Sequence, residues 1–237
     1  MRLDVELVNR NLYLTRAKAV AAIRAGLVFV NGNVAKKPSQ LVGAQDAIDA
    51  GPLPYSSGRG SLKLVHALEY FGIDPFGMAC LDVGASTGGF TEVLLKRGAA
   101  RVYVVDVGTN QLIPELRDDV RVVSLEQTDI RALPVQAAVD LIVVDVSFVS
   151  LVNIVDALVP WGAKNIIVLM KPQFEVPREV AAKCDGVIKS EYWHKYSINQ
   201  VVVAFEKAGF VFVGVTDSPI KGGSGNVEYL AWFQVKK

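Results

Sequence analysis

The spacing of apolar residues changes character about a quarter of the way along the chain. In the first part the elements are short. Leu3, Leu7 and Leu12 space one apolar face, and a second helix runs through Ala17, Ala21 and Ile23, capped by Thr15 and closed by Gly26. Leu27-Val28-Phe29-Val30, the turn Asn31-Gly32 and a basic stretch ending in Lys36-Lys37-Pro38-Ser39 follow; Asn-Gly between apolar runs predicts a hairpin. Gly, Pro and Ser then dominate, which predicts a linker at 50–60 between a small domain, 1–49, and a larger one, 61–237.

Beyond the linker, continuous apolar runs alternate with helical periods. Helices are expected at 61–71, 91–97, 151–158 and 196–207, and strands at 79–84, 101–106, 120–125, 140–145, 165–170, 210–216 and 227–234. Uninterrupted apolar strands separated by helices predict an α/β fold with a mostly parallel sheet covered on both faces. The last two strands are joined by a loop with no room for a crossover helix, so the seventh strand is expected to run antiparallel.

Charge sharpens this division. The formal net charge is only +1, which argues against a chain held to nucleic acid by bulk charge. Residues 1–45 nevertheless carry seven Lys/Arg against two acids, a local +5, and the remainder sums to −4. A basic module on a mildly acidic body hints at a nucleic-acid-binding appendage, although a clump on a solvated surface would look the same. Cys80 and Cys184 have neither metal-type nor redox-type spacing, so no metal site or disulfide is expected and a reducing cytoplasm is the default. Charges in Met-Arg-Leu-Asp-Val-Glu-Leu stand where a signal peptide needs an apolar core. The most apolar region is broken by Asp140, Asp145 and Asp156, so no membrane span is expected.

Candidate chemistry sits at the strand ends. Between the first strand of the sheet and its helix lies Asp82-Val83-Gly84-Ala85-Ser86-Thr87-Gly88-Gly89-Phe90. Small residues there let the backbone approach a ligand at a helix N-terminus, yet the spacing is neither a dinucleotide fingerprint nor a phosphate-binding loop. Asp106 ends the next strand, 22 residues after Gly84, placed for a ribose hydroxyl pair, and Asp129 follows the third strand, where a carboxylate can receive an adenine amino group. Together they favour an adenosine ligand without a pyrophosphate, S-adenosylmethionine over NAD. Asp145 and Lys171 also end buried strands, facing the crevice at the carboxyl edge of a parallel sheet. Each alone could simply be reaching solvent. Topology adds Glu228, at the start of the antiparallel strand, and Lys63, in the first turn of the helix before the sheet, so the four can converge.

These residues resemble a known family. The larger domain is similar to the FtsJ-type ribose 2′-O-methyltransferases, which carry a Lys-Asp-Lys-Glu tetrad. The whole chain resembles the TlyA family, historically labelled haemolysin and understood as rRNA cytidine 2′-O-methyltransferases. The matching stretches are Arg2-Leu3-Asp4, Val30-Asn31-Gly32 with Lys37-Pro38, Leu62-Lys63-Leu64, the 82–91 turn, Asp145-Val146-Ser147-Phe148, Lys171-Pro172-Gln173-Phe174-Glu175 and Gly225-Asn226-Val227-Glu228-Tyr229. The resemblance implies a Rossmann-like S-adenosylmethionine-dependent methyltransferase domain behind an S-four-type RNA-binding domain of small α+β architecture. It implies ribosomal RNA or a ribosomal subunit as partner, large-subunit rRNA before small. It makes Lys63, Asp145, Lys171 and Glu228 the catalytic set. Asp82, Gly84, Ser86, Thr87, Gly88, Gly89, Phe90, Asp106, Asp129 and Asp145 become the cofactor-binding residues.

Methyl transfer to a ribose hydroxyl is an in-line displacement in which the protein aligns the reactants and manages one proton. Lys171 is the expected partner of that proton, as base or as electrostatic stabiliser, with Lys63 as a neighbouring like charge and the two carboxylates orienting both ammonium groups. Arg2, Arg16, Lys18, Lys37 and Arg59 are expected to contact RNA, and Phe148 either stacks on a flipped base or packs in the core. His66 and His194 read as structural. The segment 176–186 departs from the glycine-rich basic flap usual in the family. Rival readings are a non-catalytic RNA-binding assembly factor, a haemolysin and an NAD-dependent reductase.

Overall fold

In a computed structural model, residues 1–13, 15–24, 26–51, 55, 57–58 and 60–236 are described. They fall into two units, Met1–Arg59 and Gly60–Lys237. Part of the linker expected at 50–60, residues 52–54, 56 and 59, lies outside the described residues, and with it the expected RNA contact Arg59.

The first unit holds helices α1 (Leu3–Asn9) and α2 (Arg16–Arg24) and strands β1 (Val28–Val30), β2 (Asn33–Val34) and β3 (Ile48–Ala50). Thr15 Oγ1 accepts the Lys18 N–H at 3.2 Å, capping α2, and Gly26 closes it with φ +72°. Asn31 and Gly32 both have positive φ, 52° and 77°, the hairpin geometry that matches strand twist. β2 and β3 flank β1 in antiparallel register, so the expected strand pair is a three-stranded sheet. Leu3 and Leu7 enter the core with Ile23 and Val28, but Leu12 is exposed. Tyr13 takes the inward position instead, its hydroxyl donating to Gly51 O at 2.5 Å.

The second unit is the expected α/β fold. Its elements are α3 (Ser61–Phe71), β4 (Ala79–Val83), α4 (Gly89–Lys96), β5 (Arg101–Val105), α5 (Pro114–Arg117), β6 (Val122–Leu125), β7 (Leu141–Val144), α6 (Val155–Leu158), β8 (Asn165–Met170), α7 (Pro172–Glu175), α8 (Arg178–Lys183), α9 (Glu191–Lys207), β9 (Phe210–Asp217) and β10 (Tyr229–Val235). The seven strands run in the order β6-β5-β4-β7-β8-β10-β9, with only β10 antiparallel to its neighbours. Leu81, Ile142, Val144, Ile166 and Val168 form the centre of the core with Trp161, and Phe205 stacks on Phe233 at 4.3 Å.

Two departures lie near the crevice. The helix expected at 151–158 is a 3-10 turn, Leu151–Asn153, followed by the short α6, because Ser150 and Glu175 take the N–H groups of Val152 and Leu151 and hold that turn as a separate feature. The segment after Glu175 forms α8 with no buried residue. Among the described residues, no helix is long and apolar enough to cross a membrane.

Candidate active site

β4 pairs with β5 on one side and β7 on the other, so the chain reverses its order there, the point at which open parallel sheets bind ligands. A crevice of about 550 Å³ opens at these carboxyl ends, lined by Gly84, Ser86, Asp106, Asp129, Asp145 and Phe148 among others. Gly84 has φ +83°, and a Cβ on it would lie 2.6 Å from Asp145 O, so glycine is what lets the turns after β4 and β7 approach. Asp106 accepts the N–H groups of Ser86 and Gly108, each at 2.7 Å. Each carboxylate oxygen keeps a second acceptor direction for a ribose hydroxyl.

Not every expected cofactor residue faces the crevice. Asp82 is fully buried beneath the turn, where its Oδ2 accepts the Thr91 hydroxyl at 2.6 Å and its Oδ1 has no partner. Burial, with Asp145 and Asp106 as like charges, pushes its pKa up to about 7 against the Thr91 hydrogen bond. Thr87, Gly88, Gly89 and Phe90 do not line the crevice. Gly88 and Gly89 serve packing: a Cβ on the first would collide with Leu116 and Leu112, and one on the second would sit 3.1 Å from Ser61 N. Phe90 is buried. Asp129 lines the crevice, but its carboxylate is taken by Arg131, through Nε at 2.9 Å and Nη2 at 2.5 Å, and by the Arg131 N–H. The expected adenine contact therefore competes with an ion pair.

The four charged residues resolve into two pairs. Lys171 Nζ lies 2.6 Å from Asp145 Oδ1 and donates to Ser147 Oγ at 2.8 Å. Lys63 Nζ donates to Glu228 Oε2 at 2.7 Å. Both lysines are buried, as is Glu228, so neither pair is a loose surface contact. The register explains their adjacency: Met170 faces Tyr229 across the antiparallel β8–β10 pair, which places Lys171 and Glu228 side by side at the sheet edge. Each ammonium group thus has a carboxylate beside it, Asp145 on Lys171 and Glu228 on Lys63.

Phe148, next to this edge, is 91% exposed and held at φ +65°, a backbone state rare for an aromatic residue. Its ring meets Phe174 at 5.2 Å, so it is not core. The loop is fixed by Glu175, whose carboxylate accepts the Ser150 hydroxyl at 2.5 Å and the Leu151 N–H at 2.9 Å, and whose pKa burial raises. Glu126 does the same for the other wall, accepting the N–H groups of Asn110, Gln111 and Leu112. The sequence does not mark either glutamate as a loop anchor, because carboxylates that bind loop N–H groups leave no periodic trace; alternating apolar runs reveal strands, not what holds the loops between them.

Of the residues expected to touch RNA, Arg2 and Arg16 both reach Asp4 in the first unit, Lys37 is exposed and Lys18 half-buried. His66 bonds Thr216, and His194 bridges Tyr229 and Ile188 O, both at ordinary hydrogen-bond distance. Among the described residues, no cluster of three or more His, Cys, Asp or Glu could hold a metal ion.

A Rossmann-like sheet with an appended antiparallel strand, a switch-point crevice and a lysine–carboxylate edge beside it defines a methyltransferase of the α/β class. The relatives narrow it. The chain is 43% identical over 242 residues to the 16S/23S rRNA (cytidine-2′-O)-methyltransferase TlyA of Mycobacterium tuberculosis, spanning 99% of this chain and 90% of that one. It is 34% identical to the 23S rRNA (cytidine-2′-O)-methyltransferase TlyA of Campylobacter jejuni, over 98% and 99% of the two chains. A solved structure from Streptococcus thermophilus that carries a hemolysin label matches 100% of this chain and 89% of its own at TM-score 0.75 and 37% identity. The chain belongs to the TlyA family, built of an S4 domain matched at residues 1–48 and an FtsJ-like methyltransferase domain matched at residues 56–235.

Proposed function

We propose that the protein transfers the methyl group of S-adenosylmethionine to the 2′-hydroxyl of a cytidine in ribosomal RNA, with large-subunit rRNA as the preferred substrate. The observation that carries this reading is the two ion pairs, Lys171–Asp145 and Lys63–Glu228, both with a buried lysine, at the edge where the crevice opens. The choice of RNA rests on the relatives, since both TlyA enzymes named above act by their names on 23S rRNA.

The crevice suits an adenosine-containing donor. Gly84 allows close backbone approach, Asp106 offers two acceptor directions to a ribose, and among the described residues the cation lining it is Arg131, which is neutralised by Asp129. When bound, S-adenosylmethionine supplies a methyl group already activated on a sulfonium. Asp145, at the mouth, offsets that positive charge and orients Lys171. The Lys171 ammonium, fixed by Asp145 and Ser147, stabilises the negative charge that grows on the ribose oxygen while the methyl group moves from sulfur to oxygen, the hydroxyl proton passes to solvent water and S-adenosylhomocysteine is left as the neutral thioether. Lys63, held by Glu228, positions the ribose from the other side. Phe148 gives a flipped pyrimidine an exposed face to stack on. Arg2, Arg16, Lys18 and Lys37 of the first unit hold phosphates without reading sequence.

Purified protein incubated with isotope-labelled S-adenosylmethionine and ribosomal RNA, followed by nucleoside mass spectrometry, tests the reading: labelled 2′-O-methylcytidine is the expected product. Label on a base, or none at all, contradicts it.

A further inference from the structure

The first unit has a shallow basic hollow of about 630 Å³ whose rim includes Arg2, Arg16, Arg24, Pro38 and Ser39. At its base is an acid. Asp4 is 1% exposed, yet it stands among the cations expected to meet phosphate. Its Oδ1 accepts Arg2 Nε at 3.0 Å, and its Oδ2 accepts Arg2 Nη2 at 3.1 Å and Arg16 Nε at 2.8 Å. The Arg2 hydrogen bonds, first among several causes, hold this carboxyl down at about 2, so it stays charged. Its surroundings are rigid: the Leu3 and Asp4 N–H groups donate to Gln40 O at 2.7 Å and Pro38 O at 3.1 Å, tying the acid to the opposite wall of the hollow.

Arg10 shows what a purely structural arginine does in the same unit. It pairs with Glu6 and donates to Asp46 O and Gly43 O, directing its fork inward. Arg2 and Arg16 differ. Their hydrogen bonds to Asp4 use Nε and, in Arg2, Nη2, which leaves Arg2 Nη1 and both Arg16 Nη groups outside these contacts, and their side chains are 46% and 59% exposed. A guanidinium has five N–H donors in a planar fork, and a carboxylate that occupies one edge fixes the direction of the others.

We infer that Asp4 is the positioning residue of a phosphate clamp, its carboxylate holding the Arg2 and Arg16 guanidinium groups in one arrangement so that their remaining N–H edges take adjacent phosphates of the RNA backbone. This rests on the reading that the first unit binds ribosomal RNA. It reverses the simple expectation from charge. Deleting an acid from an RNA-binding face adds one positive charge and by Coulomb's law alone tightens binding. If the acid instead orders two otherwise mobile side chains, its loss weakens binding, because ordering them must then come out of the binding free energy.

The test measures the binding of a fluorescently labelled rRNA transcript by the full chain, alongside methylation kinetics. Asp4→Asn is expected to raise Kd and the KM for RNA about tenfold, the worth of one charge-assisted hydrogen bond, with kcat unchanged. The double variant Arg2→Lys/Arg16→Lys keeps net charge and a cationic partner for Asp4 but loses the planar forks; it is expected to weaken binding to a similar degree with an unchanged melting curve. Should Asp4→Asn unfold the first unit, the lysine double variant decides alone. Asp4→Asn binding as tightly as wild type or more tightly, or lysine variants with wild-type affinity, overturns the clamp while leaving RNA binding intact. Wild-type protein with no affinity for rRNA overturns both.

Discussion

Lys171 is the residue on which the proposed chemistry turns. Its ammonium is fixed by Asp145 at 2.6 Å and Ser147 at 2.8 Å. Lys171→Ala is therefore expected to lower kcat by about 10²–10³-fold, the worth of one preorganised stabilising donor, while S-adenosylmethionine binding by calorimetry stays close to wild type. Asp82 makes a separate prediction, about stability. Its folded pKa, about 7, is above the ordinary carboxylate value, so the stability it contributes is fully present below about pH 4 and is lost as pH rises toward 7. Between those limits the folded state binds more protons than the unfolded one, and stability falls as pH rises, by a few kcal/mol in all. Melting curves from pH 4 to 8 are expected to show that slope in wild type and a flatter one in Asp82→Asn; equal slopes would assign the effect to other groups.

Among elements, the sheet edge decides what becomes a site. Lys63, Asp145, Lys171 and Glu228 are spread over the second unit in sequence, but β8, β10 and α3 bring them together because β10 runs antiparallel and α3 enters with its first turn at that edge. Lys63→Met would leave Glu228, 3% exposed, without its cation, at an expected cost of about 3–5 kcal/mol. Lys63→Met/Glu228→Gln should recover most of the melting temperature and none of the methylation. Recovery of both would make the pair structural only. This edge was legible in the sequence because apolar runs ending in a charge, plus the missing crossover before the last strand, dictate where those ends meet. Which lysine meets which acid was not, since that depends on how each side chain leaves its strand and on loops such as 145–150, where Phe148 takes a positive φ. The inward turn of Tyr13 in place of Leu12 has the same origin: Asn11 at φ 55° changes the face presented after α1, and period alone does not register it.

For the whole molecule, the near-neutral charge of +1 conceals a division of labour, a basic first unit and a mildly acidic second one. The matched S4 and FtsJ-like regions follow the same division, at residues 1–48 and 56–235. RNA affinity in this account belongs mainly to the first unit and chemistry to the second, so the KM for RNA should climb steeply with salt while kcat at saturating RNA changes little. The most direct test of the central claim is a nucleotide-resolution map of 2′-O-methylation on ribosomal RNA from cells with and without the gene for this protein. At least one cytidine in the large-subunit RNA is expected to lose its 2′-O-methyl group when the gene is absent and to regain it with wild-type protein but not with Lys171→Ala. Identical cytidine methylation in all of these cells would contradict it.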